Sequence, residues 1–324
     1  MTKKLFCAII KISCGCRITA ITPAFQAGDV GSTPIIRFSM KNYTVKSSTG
    51  ETLDVNYYES SNSKSLIQIL HGMQEYKERY NDFAEFLVAN GYNVLIHDHL
   101  GHGKSISAAH PLGDMVSFDA VVKDIDLVRK SVDFSGEYIC FGHSMGSFLA
   151  RIYSSKYPVD LLIVSGTGQT PSILATFMQS FLRFQKPGVP LPKIQKILMG
   201  PMGKRFDNPA DWLSLDKENQ QAYADDPLCG QPFTREGYRV LLDIVKNLNK
   251  KETYRDCSAK SILMISGEKD PVGNFTKGVK KAEAKYKSFG KQVKTIFYKN
   301  MSHEILNETE HQTVYQDILD FLRG

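Results

Sequence analysis

The segment "GHSMG" places Ser144 between Gly142 and Gly146, directly after an apolar run over residues 138–141. The run predicts a short buried strand, and the residues after the segment predict a helix. A sharp strand-to-helix turn leaves no room for side chains two positions before and after the serine, which explains both glycines. The hydroxyl would stand clear of the sheet, and the N–H of Met145, at the helix N-terminus, could stabilise an oxyanion.

A serine hydroxyl becomes a nucleophile when a base accepts its proton and an acid orients that base. In a strand-turn-helix arrangement of this kind, the acid and then a histidine are expected later in the chain, each after a strand. Asp270 follows the apolar segment 262–265, and His303 follows the segment 293–298. The three side chains are therefore predicted to form a catalytic triad.

Each partner has an alternative in the sequence. Glu268 is a second candidate for the acid, and the Asp-Pro pair at Asp270 is also a common way to start an ordinary turn. Of the eight histidines, only His303 and His311 come after Asp270, and His311 lies beside the last predicted helix. The three positions together are more specific than any one alone.

A second oxyanion donor is expected from the loop after an earlier strand. Residues 66–70 predict that strand, and His71, Gly72 and Met73 follow it. Gly72 would let the backbone approach the substrate closely, and the N–H of Met73 would be the donor. Because His71 precedes the serine strand, it is interpreted as a structural support of this loop and not as the catalytic base.

Seven motifs agree in order and spacing with one known family: "HGMQEYKERY", "DHLGHGKS", "GHSMG", "DWLSLD", "DPLCG", "GEKDPVG" and "SHEILNE". From about residue 43 onward the chain resembles α/β-hydrolases of the monoacylglycerol lipase and lysophospholipase branch, often described as serine aminopeptidase-like. The resemblance implies that Ser144 is the nucleophile, Asp270 the orienting acid and His303 the base. It also implies an oxyanion hole from the N–H groups of Met73 and Met145, and no cofactor. One departure is Tyr76, where the family commonly has a histidine.

The remaining patterns predict strands at 92–98 and 161–165 and helices at 79–90, 118–132, 276–288 and 313–322. Alternating strands and helices indicate a mostly parallel sheet flanked by helices, which is the α/β-hydrolase fold that the resemblance implies. Residues 168–256 show helical patterns without a clear strand. They are predicted to be a helical cap inserted between the serine half and the Asp/His half, so that the core comprises 40–167 and 257–324.

The predicted cap begins with an apolar stripe that includes Phe177, Met178 and Phe181. The stripe either packs on the cap's own core or faces an acyl tunnel or a lipid surface, and it is too short to span a bilayer. These three residues and Cys229 are the candidate pocket residues, although a single thiol more often serves packing. The apolar cap and the resemblance together indicate a carboxylic ester with an apolar acyl chain, such as a monoacylglycerol or lysophospholipid, and allow transient contact with a membrane surface.

Other functions stay open on the same triad. A peptidase that removes N-terminal residues would need an acidic group in the cap to bind the substrate ammonium, and Asp211, Asp216, Asp225 and Asp226 are available. Acyl transfer to an acceptor other than water is a further alternative. A catalytically inactive ligand-binding protein would be expected to lack a triad member, and none is missing.

Residues 1–39 are predicted to be a non-native or disordered N-terminal extension. Lys11 interrupts the first apolar run and no clear cleavage site follows, so the run does not match a secretory signal. The residues after it resemble the conceptual translation of a transfer-RNA gene, which predicts that the natural chain starts at Met40. The extension holds five basic residues and one acidic residue, and so accounts for +4 of the formal net charge of +6. The nearly balanced remainder gives no case for binding nucleic acid.

The other motifs predict neither a phosphate loop nor a metal site. "GHGKS" lacks the full spacing of a phosphate loop, and His97, His99 and His102 lack an accompanying metal-binding motif. Three of the six cysteines lie in the predicted extension. The other three are widely spaced, which is typical of a reduced, cytoplasmic protein and not of a disulfide framework. The sequence leaves the oligomeric state open.

Overall fold

A computed structural model describes residues 38–61 and 63–324. The strands are β1 (Phe38–Lys46), β2 (Thr52–Ser60), β3 (Ser65–Leu70), β4 (Asn93–His97), β5 (Glu137–His143), β6 (Leu161–Ser165), β7 (Ser261–Gly267) and β8 (Gln292–Tyr298). They form one sheet in the order β1-β2-β4-β3-β5-β6-β7-β8. β2 pairs antiparallel with β1 and β4, and every other neighbouring pair is parallel. The predicted mostly parallel sheet is therefore confirmed.

The α-helices of the described residues are α1 (Asn81–Ala89), α2 (Phe118–Lys130), α3 (Met145–Tyr153), α4 (Ser172–Leu182), α5 (Pro192–Met199), α6 (Lys217–Asp225), α7 (Arg235–Leu248), α8 (Glu252–Arg255), α9 (Lys277–Ser288) and α10 (His311–Arg323). α1 and α10 pack on one face of the sheet, and α2, α3 and α9 pack on the other. Along β5, Ile139 and Phe141 lie in the apolar cluster between the sheet and helices α1 and α10. Tyr138 and Cys140 lie in the larger, main apolar cluster on the other face, beneath α2, α3 and α9. Parallel strands buried on both faces read as continuous apolar runs, which is why the sequence predicts them well.

The antiparallel edge was not predicted. β2 carries alternating buried residues at Leu53, Val55 and Tyr57, which is the signal that could have identified it. The predicted extension lies outside the described residues except for Phe38 and Ser39, which belong to β1.

Helices α4 to α8 lie between β6 and β7, in the segment 168–256, which we call the helical insertion. Within it α4 packs against α7, and α7 also contacts α3 of the core. The stretch 186–193, which is rich in proline, connects α4 to α5, and Pro192 is the first residue of α5. Among the described residues, no helix is both long enough and apolar enough to cross a membrane.

Candidate active site

Ser144 stands at the turn between β5 and α3, with φ 53° and ψ −120°. A non-glycine residue at positive φ stores backbone strain, and such strain is common at functional sites. A Cβ atom on Gly146 would lie 2.0 Å from the carbonyl oxygen of Leu70, and one on Gly142 would lie 2.2 Å from the carbonyl oxygen of Gly146. Close backbone approach therefore requires both glycines.

The structure brings Ser144, Asp270 and His303 together at the carboxyl ends of β5, β7 and β8. Nε2 of His303 lies 2.9 Å from Oγ of Ser144, and Nδ1 lies 3.1 Å from Oδ1 of Asp270. The ring N–H is not aimed straight at that oxygen, so the second contact is close without being a linear hydrogen bond. Asp270 is fully buried, and its Oδ1 accepts the N–H of Val272 at 2.8 Å, which fixes the carboxylate.

The two alternative residues lie outside this cluster. Glu268 is exposed and comes directly after β7. His311 places Nδ1 2.7 Å from the carbonyl oxygen of Glu308 and packs against the ring of Tyr315. Neither residue contacts Ser144, so the geometry favours Asp270 and His303.

The imidazole of His303 is set up to accept a proton. Burial lowers its pKa, but the negative charge of Asp270 and the contact with that carboxylate outweigh burial, and Glu304 and Glu75 act in the same direction. The pKa of His303 therefore lies above its ordinary value of 6.5. The neighbouring His143, with its ring centroid 4.7 Å away, has a pKa well below that value because of burial and the charge of His303.

The loop after β3 approaches the serine closely. A Cβ atom on Gly72 would lie 3.0 Å from Cβ of Ser144, and the N–H of Gly72 donates to Oε1 of Glu75 at 2.5 Å. In the part of the chain that the structure describes, the N–H groups of Met73 and Met145 have no protein acceptor. Two unpaired donors beside a nucleophile are what an oxyanion hole requires.

His71 lies beneath this loop. Its Nδ1 lies 2.8 Å from the carbonyl oxygen of Gly72, and its Nε2 accepts the N–H of His99 at 3.0 Å. Burial and the neighbouring His102 keep the pKa of His71 well below its ordinary value, so the ring is neutral. A neutral ring that donates through Nδ1 and accepts through Nε2 satisfies both contacts and holds the loop in place.

Sequence reasoning missed a buried ion network beside the triad. Oε2 of Glu75 lies 3.4 Å from Nε of Arg79, and the same guanidinium donates to Oε2 of Glu304 at 2.5 Å. Asn219, on α6, also donates to Glu304 at 2.8 Å. Burial, followed by the charge of Glu304, raises the pKa of Glu75 to about 7. The available signal was the four-residue spacing of Glu75 and Arg79 in one motif and the position of Glu304 next to His303.

The loop of His303 is held from the helical insertion. The N–H groups of His303 and Glu304 both donate to the carbonyl oxygen of Leu213, at 3.1 and 2.8 Å. The buried carboxylate of Glu308 accepts the N–H of Ser302 at 2.8 Å and that of Leu215 at 2.9 Å. The position of the imidazole therefore depends on both the core and the insertion.

A mostly apolar cavity of about 400 Å³ opens above Ser144. Its lining includes Ser144, Met73, Met145 and His303. The helical insertion contributes apolar residues, among them Ala175, Met178, Leu198, Leu213, Leu241 and Val245. The polar lining includes Gln74, Glu75, Tyr223 and Glu304. The cavity thus combines an apolar wall with a polar region beside the triad.

Three of the four predicted pocket residues do not line this cavity. Phe177 and Phe181 are 74% and 48% exposed, because α4 turns Ala175 and Met178 toward α7 and leaves these two rings on its outer face. Cys229 is buried, and burial raises the pKa of its thiol to about 12, as expected for a packing residue. Only Met178 of the predicted set lines the cavity, and the prediction for the other three is corrected.

The fold and the residues gathered at the serine turn define an α/β-hydrolase. A profile of the family described as serine aminopeptidase, S33, matches residues 61–310. The chain belongs to this family, and it is a hydrolase.

Three relatives illustrate the similarity. The monoacylglycerol lipase of Mycolicibacterium smegmatis is 24% identical over 271 residues, which cover 80% of this chain and 88% of that protein. The monoglyceride lipase of Mus musculus is 26% identical over 60% of this chain, and the match spans 61% of its own length. The crystal structure of a thermostable carboxyl esterase from Bacillus coagulans, in complex with glycerol, superposes with a TM-score of 0.80 at 26% identity, covering 88% of this chain and 98% of that one.

Proposed function

We propose that the protein hydrolyses carboxylic esters with an apolar acyl chain, in the manner of a monoacylglycerol lipase or lysophospholipase. The observation that carries the proposal is the contact of Ser144 with His303 and of His303 with Asp270 at the base of a mostly apolar cavity. The names of the relatives, two monoacylglycerol lipases and a carboxyl esterase, support ester hydrolysis.

The proposed mechanism follows from the contacts. His303 accepts the proton of Ser144 as the hydroxyl attacks the ester carbonyl, and Asp270 stabilises the imidazolium that forms. The N–H groups of Met73 and Met145 bind the oxyanion. His303 then protonates the leaving alcohol. In the second half of the reaction, His303 accepts a proton from water as the water attacks the acyl-enzyme, and it returns this proton to Ser144 as the carboxylic acid is released. Side chains of the triad, the two backbone N–H groups and water carry every step of this mechanism.

An aminopeptidase on the same triad would need a free carboxylate in the cavity to bind an ammonium group. The carboxylates that line it, Glu75 and Glu304, are already engaged by Arg79. The four aspartates considered from the sequence lie outside the lining, and each has a partner nearby: Asp211 pairs with Lys217, Asp216 caps α6, Asp225 accepts from Gln221, and Asp226 accepts from Tyr76. These contacts favour an ester substrate over a peptide with a free N-terminus.

The test compares wild type and Ser144→Ala on p-nitrophenyl esters of increasing chain length, a monoacylglycerol and an aminoacyl anilide. We expect ester hydrolysis by the wild type and a loss of about 10³-fold or more in kcat for the variant, because the nucleophile is removed. A fluorophosphonate should label only the wild type. Anilide turnover above that of every ester would contradict the proposal, and equal labelling of Ser144→Ala would contradict the nucleophile.

We further propose that the helical insertion acts as a cap and that its outer face touches lipid surfaces transiently. Ile173, Phe177 and Phe184 are 80%, 74% and 87% exposed on or directly after α4, which supports a surface that meets lipid. A cytoplasmic location is proposed from the three free and buried cysteines of the described residues.

A further inference from the structure

Methionine is concentrated around the cavity. The chain contains ten methionines, and five of them line this one space. Met73 and Met145 lie at the catalytic end, and Met178, Met199 and Met202 form part of the wall contributed by the helical insertion. These last three come from α4, from the end of α5 and from the turn that follows it. An acyl chain bound in this cavity would therefore contact methionine side chains from several segments of the protein.

The wall methionines differ from those of the core in their position at the cavity. Met199 and Met202 are half-buried, and Met178 is buried in the main apolar cluster but also lines the cavity. Met115 and Met264 are fully buried in the main apolar cluster and do not line the cavity. An unbranched thioether has three rotatable bonds and a polarizable sulfur, so it can fill irregular space around ligands of different shape.

We propose that Met178, Met199 and Met202 determine the breadth of acyl specificity. Their side chains change rotamer around the bound chain, so that straight, branched and kinked acyl groups of equal carbon number are hydrolysed at comparable rates. A wall of leucine in the same positions would have a defined shape and would favour one chain form. The inference rests on the proposed ester hydrolysis and concerns the acyl half of the substrate.

The test replaces the three residues together, in Met178→Leu/Met199→Leu/Met202→Leu. Leucine conserves volume and apolarity, so the fold and the hydrolysis of a straight-chain ester should persist. The measurement is kcat/KM for soluble esters of equal carbon number whose chains are straight, branched far from the carbonyl or kinked by a cis double bond. We expect the ratio of bent-chain to straight-chain kcat/KM to fall about threefold to tenfold, the range that a volume-conserving swap can supply.

The matched control is Met115→Leu/Met264→Leu, which makes the same chemical change away from the cavity and should keep the wild-type ratio. Replacement of methionine by norleucine, which keeps the flexible chain without sulfur, should also keep it. An unchanged ratio in the triple variant, or an equal fall in the control, would overturn the inference while leaving ester hydrolysis intact. If the triple variant is unstable, Met202→Leu, at a half-buried position, provides the same comparison. A wild type that hydrolyses no ester would overturn the proposed function itself.

Discussion

His303 connects the electrostatics of the site to its pH dependence. The base must be neutral to accept the proton of Ser144, and the charge of Asp270 raises its pKa above 6.5 against the effect of burial. We therefore predict that kcat/KM for a soluble ester rises with pH through a midpoint above 6.5. A pH profile of the wild type checks this, and a midpoint below 6.5 would contradict the assigned cause.

Asp270→Asn tests the effect of the Asp270 charge on His303 separately from the effects of Glu304 and Glu75. The substitution removes the strongest influence that raises the pKa of His303 and leaves burial, which lowers it. We expect the midpoint to shift to lower pH and kcat to fall about 10³- to 10⁴-fold. Glu268→Gln, at the exposed neighbouring acid, should leave both quantities unchanged. Equal effects of the two variants would reassign the acid.

Glu75 holds the loop of the oxyanion donors at a cost in stability. Its pKa rises from 4.5 to about 7 on folding, mainly through burial. The folded state then binds the proton more tightly than the unfolded state, so this group makes stability fall as pH rises from about 4.5 to 7. In Glu75→Gln we expect a weaker decline of Tm across that window and about a tenfold loss of kcat/KM, because the hydrogen bond from Gly72 is no longer charge-assisted.

Thermal unfolding and ester kinetics at several pH values measure both effects of Glu75→Gln. Glu78→Gln is the control, because Glu78 lies close to Glu75 in the chain, pairs with Lys77 and Lys104, and does not line the cavity. A decline of Tm as steep as that of the wild type would assign the pH dependence to another group.

Helix α3 connects the serine turn to both ends of the helical insertion. Arg151, on α3, is fully buried, and its guanidinium donates to Oγ1 of Thr167 at 3.2 Å, to the carbonyl oxygen of Gly168 at 2.9 Å and to Oε1 of Gln169 at 3.1 Å. At the other end of the insertion it donates to the hydroxyl of Tyr254 at 3.0 Å. One cation therefore fastens both connections to the core.

Replacing this cation leaves several buried acceptors without a donor. We predict that Arg151→Met lowers the free energy of unfolding by about 2–4 kcal/mol, as expected when buried polar groups lose their partners. Arg255→Met should leave the free energy of unfolding nearly unchanged, because Arg255 forms an exposed pair with Asp256. Urea unfolding of both variants tests this, and equal midpoints would contradict the fastening role of Arg151.

The sequence predicts the alternating core because the buried parallel strands, such as β5 and β7, are mostly apolar runs, and Ser144 and Asp270 follow these two strands closely. His303 follows the edge strand β8, which is more polar and less buried. Tertiary contacts decide the rest. The stripe on α4 shows which residues are apolar, but only the position of α7 decides that Met178 turns inward and Phe177 outward. The pair of Arg79 and Glu304 joins positions far apart in the chain, and no local pattern reports such a contact.

Helix α4 has an exposed apolar face on one side and faces the cavity on the other. Substitutions on the exposed face should therefore change binding to lipid without changing ester hydrolysis. We predict that Ile173→Ser/Phe177→Ser weakens partition onto phosphatidylcholine vesicles by at least about tenfold, because each buried apolar side chain contributes about 1.5–3 kcal/mol. Hydrolysis of a soluble ester should be unchanged, since neither residue lines the cavity.

Vesicle sedimentation and ester kinetics make this comparison, with Ser180→Ala as the control on the same helix. Unchanged partition of Ile173→Ser/Phe177→Ser would remove the argument for lipid contact.

The shared acceptor at Leu213 constrains how this enzyme can be re-engineered. Two consecutive amides beside the imidazole depend on one oxygen that belongs to the insertion. A chimera that imports a foreign segment between β6 and β7 must supply a carbonyl at that point in space, whatever side chain accompanies it. Grafts designed only to reshape substrate preference would otherwise yield folded but inert proteins.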